Sequence, residues 1–221
     1  MNILFLFIEI IVYFTSLVLL KKFLGKTGVY TWIAIASVLA NIQVCKSIDL
    51  FGMSVSVGNV LFASTFLATD ILVVCYSEKE AKTGAIVGLV SVLLFLLVSQ
   101  LTLAYTPNSL DMADSSMQIL FGLSPRVCLA SVSMFFVANL LDIYLFNKFK
   151  TKKLWIKNNV CTVVCNCLEN FMFYIIAFVG IIPFKELLIL AVTASAIEVL
   201  VALCDTPFLY WAKNIKSKDI D

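Results

Sequence analysis

Apolar residues in this chain gather into long runs separated by short polar connectors. Seven runs stand out, at 3–20, 29–44, 57–76, 83–105, 126–146, 160–180 and 187–211. A membrane-spanning helix needs about 20 mainly apolar residues, and each run approaches or meets that length. The pattern predicts an all-α integral membrane protein, one polytopic membrane domain over 1–221. Its bundle has six core transmembrane helices plus one N-terminal helix, seven apolar spans in all. The last run contains Pro207, where a break in the helix is expected because proline lacks the donor N–H. Gly84 and Gly88 form a Gly-x-x-x-Gly face, expected to mark a close helix–helix contact. The longest polar connector, 106–125, holds Pro107, Asn108, Asp111 and Asp114. It reads either as a plain turn-rich connector or as a lid over a site. The first run lacks a basic segment before it and is followed by Lys21 and Lys22, so it reads as a retained helix rather than a signal peptide.

Composition agrees: 62% of the 221 residues are hydrophobic, 14% are charged, and the mean hydropathy is +1.02. A soluble chain is nearer half apolar and a quarter charged, so lipid is needed to cover the remaining apolar surface. The net charge of +2 gives no nucleic-acid signal. The 16 Lys and Arg, however, are unevenly placed. Taking connectors alternately, 13 fall on one side of the predicted membrane and 3 on the other. The positive-inside rule then puts the N-terminus outside and the C-terminus in the cytoplasm.

Missing residues narrow the chemistry. The chain has no histidine, which excludes Ser-His-Asp and Cys-His catalysis and histidine metal sites. It has no phosphate-binding Gly-x-x-x-x-Gly-Lys loop, so it does not hydrolyse ATP by that route. Cys161 and Cys165 share a helical face but Cys167 points elsewhere, which suits small buried apolar residues better than metal ligands. No cofactor and no metal are expected.

The informative residues are the acids inside the apolar runs: Glu9, Asp70, Asp142, Glu169, Glu198 and Asp205. A carboxylate in hydrocarbon costs several kcal/mol, so each is a candidate for function. Asp70, Asp142 and Asp205 lie toward the lysine-rich end of their runs. They read as a gate or proton path, or as acids tied structurally to snorkelling lysines or to backbone. Glu169 and Glu198 are deeper, Glu169 about 13 Å into its run at 1.5 Å per residue. No Lys or Arg lies near either in sequence. With Asn166, Asn170, Asn139, Asn41 and Arg126 they are candidates to line a ligand cavity open to the outside. Hydrogen-bond glue between helices is the alternative for each single Asn.

Phe66–Leu72 (Phe-Leu-Ala-Thr-Asp-Ile-Leu), Ser124–Arg126 (Ser-Pro-Arg), Leu140–Lys148, Leu154–Asn159, Ile176–Gly180 and Asp205–Tyr210 together resemble the queuosine precursor transporters, a family of the vitamin uptake transporter group. The resemblance spans about 30–212. It implies a helical architecture like the substrate-binding components of energy-coupling-factor transporters, and a transporter rather than an enzyme. It also implies a small-molecule 7-deazapurine ligand and a multi-pass location in the bacterial cytoplasmic membrane, among lipid. By it Asn41, Asp70, Arg126, Asn139, Asp142, Thr162, Asn166 and Glu169 fall on the family's polar positions. The chain departs at Ser77, Asn139, Lys157, Glu169 and Glu198, where the family usually has Gly, Gln, Arg, Asp and often Lys. The last departure reverses a charge and bears on which ligand is bound.

The chemistry is compatible, because one carboxylate accepts the two adjacent N–H donors of a guanine-like edge in parallel. Glu169 suits that role, Glu198 suits a ligand ammonium, and Phe171, Phe173 or Tyr174 suit stacking. The expected function is import of queuosine precursors (the cyano or aminomethyl 7-deazaguanine, or queuine) for tRNA modification. The alternative is a substrate-binding subunit of an energy-coupling-factor-type importer that needs an energising ATPase partner. An intramembrane aspartyl enzyme using Asp70 and Asp142 is disfavoured, and homo-oligomerisation is left open.

Overall fold

The computed structural model describes residues 1–122, 125–151 and 153–217. Ser124 of the Ser-Pro-Arg stretch, Lys152 and Lys218 lie outside the described residues. Among the described residues the regular structure is helical apart from one short hairpin. Helix α1 (Asn2–Gln43) is followed by strands β1 (Ser47–Leu50) and β2 (Met53–Ser56), then α2 (Asn59–Cys75), α3 (Glu78–Leu103), α4 (Asp114–Phe121), α5 (Pro125–Lys148), α6 (Leu154–Phe178) and α7 (Phe184–Asn214). Five helices (α1, α3, α5, α6 and α7) are long and apolar enough to cross a membrane; α2 is apolar but shorter, at 17 residues.

The two first apolar runs both fall in α1, which folds back on itself. Gly25 interrupts the helix with φ 61° and ψ −142°, a left-handed conformation that costs glycine little. The arms at 2–24 and 26–43 then run antiparallel. Tyr13 packs against Trp32 with ring centroids 6.2 Å apart, Gln43 Nε2 donates to the Tyr13 hydroxyl at 3.2 Å, and Asn2 Nδ2 reaches the Asp49 carbonyl at 3.1 Å. The first arm is part of the packed bundle. Its Leu6, Ile10, Phe14, Leu17 and Val18 are buried in the same core as residues of α2 and α7, and Phe14 meets Phe208 edge-on at 5.3 Å. Lys21 fixes the turn to the far end of the chain. Its side chain is buried, and its ammonium donates to the Ala212 and Ile215 carbonyls, both at 2.9 Å. Those carbonyls close α7, where the helix dipole favours a cation.

The structure has two distinct ends. At the lysine-rich end Lys26 pairs with Glu80 at 3.4 Å, Tyr30 also bonds Glu80, and Tyr76 bonds Ser217 at 3.4 Å. The opposite end carries the β-hairpin, which the run pattern does not predict because its strands are only four residues long. Phe51 and Gly52 turn it with φ of 51° and 76°, as a tight two-residue hairpin requires. Leu50 and Val55 face the bundle and are buried. The connector at 106–125 holds the exposed helix α4, tied back where Gln100 Nε2 donates to the Phe121 carbonyl at 3.0 Å.

The expected break at Pro207 does not occur: α7 runs through it to Asn214. Proline removes one hydrogen bond, but ending the helix in an apolar bundle would expose many more unpaired backbone groups. α3 shows the division between lipid-facing and packed surfaces. Ile86, Val90, Leu93, Leu97 and Leu101 are exposed, whereas Ala81, Gly84, Ala85 and Gly88 are buried against neighbouring helices. A Cβ on Gly84 would lie 2.7 Å from a Leu72 methyl, and one on Gly88 would lie 2.9 Å from the Phe135 ring. The Gly-x-x-x-Gly face is the close contact its spacing predicts.

Gly88→Val is therefore expected to destabilise the bundle by about 1–3 kcal/mol through overpacking. The check is thermal unfolding in detergent, with Val90→Ile as a control on the exposed face. Equal melting temperatures for the two variants would refute the contact's role.

Candidate functional site

Polar side chains inside the bundle are concentrated between α2, α5, α6 and α7. α6 supplies the spine. Asn158, Thr162, Asn166 and Glu169 recur at intervals of four and three, which places them on one helical face, and all are buried. From Asn158 to Glu169 the row spans about 16 Å at 1.5 Å per residue, about half the thickness of a bilayer core. Asn139 and Asp142 on α5, Asp70 on α2, and Glu198 and Asp205 on α7 are buried as well.

Two of these acids have firm partners, both from α6. Asn158 Nδ2 donates to Asp205 Oδ1 at 2.6 Å, and the next residue, Asn159, donates to the Thr206 hydroxyl at 2.8 Å. Three turns along, Asn170 Nδ2 donates to Glu198 Oε2 at 2.6 Å and to the Asn166 carbonyl at 3.0 Å. These bonds stitch α6 to α7 at two levels.

Other atoms of the column lack partners. Thr162 Oγ1, Asn166 Oδ1 and Nδ2, and Glu169 Oε2 are buried without a hydrogen bond. Glu198 lies within electrostatic reach of Glu169 and of Tyr174. The four carboxyl oxygens of Asp70 and Asp142 are likewise without an N–H or O–H donor from any other described residue. These two carboxyls lie within hydrogen-bonding reach of each other, with Asp205 nearby and the thiol of Cys165 beside Asp142. Ionised carboxylates only accept, so two of them cannot bond without a proton between them. Two full charges about 4 Å apart would repel by about 4 kcal/mol at an effective dielectric of about 20.

Among the described residues no lysine forms an ion pair with these aspartates. Among the described residues the ion pairs are Lys26–Glu80 and Lys82–Glu78, both at the lysine-rich end. Lys157 instead stacks over the Phe146 ring at 4.3 Å and influences Asp70 from there.

The family model described as "Putative vitamin uptake transporter" matches residues 56–212. The chain is also 33% identical over 214 residues to the "Probable queuosine precursor transporter" of Bacillus subtilis (strain 168), covering 95% of this chain and 93% of that one. The chain belongs to the queuosine precursor transporter family, within the vitamin uptake transporters. No solved structure matches it. The family is one of transporters, not enzymes, and the apolar helices make this a multi-pass membrane protein.

The transporter's fold brings Glu169, Glu198, Asn166, Thr162, Asn139, Asp70, Asp142 and Asp205 onto the four helices of one column. Two candidates fall elsewhere. Arg126 is exposed at the hairpin end, where its Nε donates to the Ile176 carbonyl at 2.6 Å and joins α5 to the end of α6. Asn41 is half-buried on α1, donating to the Ser37 carbonyl one turn back at 2.8 Å. A separate cavity of about 340 Å³ at the hairpin end is lined by Leu6, Glu9, Lys46, Asn59 and Ile197 among others, with none of the column's residues. Asn170, a candidate, holds Glu198, whereas Asn158, which holds Asp205, was not among the candidates. Its signal was the α6 polar spacing, which extends one turn below Thr162. The rings of Phe173 and Tyr174 pack on each other at 5.2 Å.

Removing the donor to Asp205 should be costly, because the acid is buried. Asn158→Ala is expected to lose about 1–3 kcal/mol of stability in detergent. A double-mutant cycle with Asp205→Ala should show a coupling of about 0.5–3 kcal/mol. Strict additivity would show that the bond contributes nothing.

Proposed function

We propose that this transporter imports queuosine precursors, the 7-deazaguanine bases, into the cytoplasm for tRNA modification. The observation that carries the reading is the row of buried, unpartnered polar atoms on α6: Thr162 Oγ1, Asn166 Oδ1 and Nδ2, and Glu169 Oε2. Unpaired groups in so apolar a setting cost about 1–3 kcal/mol each, and a guanine-like edge complements them. Its adjacent N–H donors match the Glu169 carboxylate, and its carbonyl acceptor matches the Asn166 amide. The name of the Bacillus subtilis relative supports the same ligand class.

Seven crossings follow if both arms of α1 and the short α2 span the bilayer: six core helices and one N-terminal helix, as in energy-coupling-factor substrate-binding components. The clustering of lysines at one end then orients the N-terminus outside and the C-terminus in the cytoplasm of a bacterial inner membrane. The column residues are buried, so loading requires the helices around α6 to part.

The test is salvage of each precursor by a host unable to make queuosine, scored as queuosine content of its tRNA. Glu169→Gln is expected to cut salvage at least about tenfold, the worth of roughly 1.4 kcal/mol, while the protein reaches the membrane at normal levels. Undiminished salvage would remove Glu169 from the ligand site. Glu198→Gln should weaken use of the aminomethyl base or queuine more than use of the neutral cyano base. Equal weakening would show that Glu198 does not meet a ligand ammonium.

A further inference from the structure

The column divides into two parts. The α6 row between Thr162 and Glu169 is where a base would be bound. Asp70 and Asp142 face α6 from α2 and α5, level with Cys161 and Cys165. Both are wholly buried, they stand on different helices, and their carboxyls are within bonding reach of each other with no N–H or O–H donor from another described residue.

We propose that Asp70 and Asp142 share one proton and that this transporter is a proton-coupled symporter, the pair taking up a proton with each base and releasing it to the cytoplasm. The inference deepens the ligand reading above by naming the energy source of the same column. A proton bridges the two carboxyls as they stand, making one a donor and the other an acceptor.

The surroundings suit a proton that comes and goes. α7 presents Asp205, whose Oδ1 is already held by Asn158. α6 presents the thiols of Cys161 and Cys165, and Lys157 at its lysine-rich end. The stretch of α3 packed here is apolar and small, with Gly84 against Leu72 and Gly88 against Phe135. Cys165 lies within electrostatic reach of both Asp142 and Glu169, so the proton pair and the proposed base site are adjacent. A change in the charge of one is therefore felt by the other.

The step balances simply. An O–H bond forms on the pair at the expense of hydronium from the outer side and is broken to water on the cytoplasmic side. Lys157 offsets the second negative charge left behind. With a neutral base, each turnover carries one positive charge inward.

The test uses the full chain, purified and reconstituted in liposomes, with radiolabelled cyano-7-deazaguanine as probe. Exchange of labelled for unlabelled base without any gradient checks the ligand reading on its own. With the membrane potential held near zero by a potassium ionophore and equal potassium on both sides, an imposed pH gradient of about one unit, alkaline inside, should then drive about tenfold accumulation, the ratio equivalent to one coupled proton. A protonophore should abolish it and a sodium gradient should not replace it. Exchange that proceeds while the pH gradient has no effect, or accumulation driven by sodium, would overturn proton coupling and leave the ligand reading standing.

Absence of exchange would overturn the choice of ligand. The proton site is then judged on ligand-free protein by infrared difference spectroscopy. A protonated-carboxyl band should respond to pH and disappear in both Asp70→Asn and Asp142→Asn. No such band in the wild-type protein would overturn the proposal, and that measurement does not depend on the variants folding.

Discussion

Hydrocarbon offers no hydrogen bonds, so every polar group in this bundle is satisfied by another part of the chain or awaits something the chain does not supply. That constraint explains the helices, the fold-back at Gly25 and the continuity of α7 through Pro207. It also sorts the buried side chains. Asp205 and Glu198 are satisfied by Asn158 and Asn170. Asp70, Asp142, Asn166 and the free oxygen of Glu169 are not. A membrane protein that keeps several such groups pays in stability, and a transport cycle is a reason to keep them.

Seen this way, the apolar framework and the polar column are complementary halves. α1, α2, α3 and part of α7 form a continuous apolar core, closed at one end by Lys21 on the last carbonyls of α7 and at the other by the β-hairpin. The column lies on the other side of α2 and α7, where α5 and α6 complete it. α2 and α7 thus serve both halves. The small-residue face of α3 lets the framework pack closely enough to hold α2 in place against α5.

Much of this was legible in the sequence because run length and buried charge have few physical explanations. Every apolar run coincides with a helix or an arm of one to within about two turns, and Gly84 and Gly88 announced a contact that exists. The β-hairpin was not legible, since two four-residue strands give too short an alternation to stand out beside 20-residue runs. Pro207 was misleading because the rule that proline ends helices assumes water ready to accept the freed groups. Within the site, helical spacing correctly grouped the α6 residues. It could not show which acids on other helices would meet them, because that depends on rotation and depth. Asn41 and Arg126 were attractive by polarity alone, and the fold places both off the column.

The distribution of bonds across the column also bears on how it opens. α6 and α7 are joined by Asn158–Asp205 and Asn159–Thr206 at one level and by Asn170–Glu198 at another. Buried bonds to charged groups are worth about 1.5–3 kcal/mol each, so separating these two helices would break several at once. Asp70 and Asp142 belong to α2 and α5, and they meet only through a proton. The part of the column with the fewest side-chain bonds to break is therefore the row of unpartnered atoms on α6. A base entering there gives partners to groups that have none and breaks no existing side-chain bond of the stitched pair. That is the arrangement expected if ligand binding, rather than internal cohesion, closes the column.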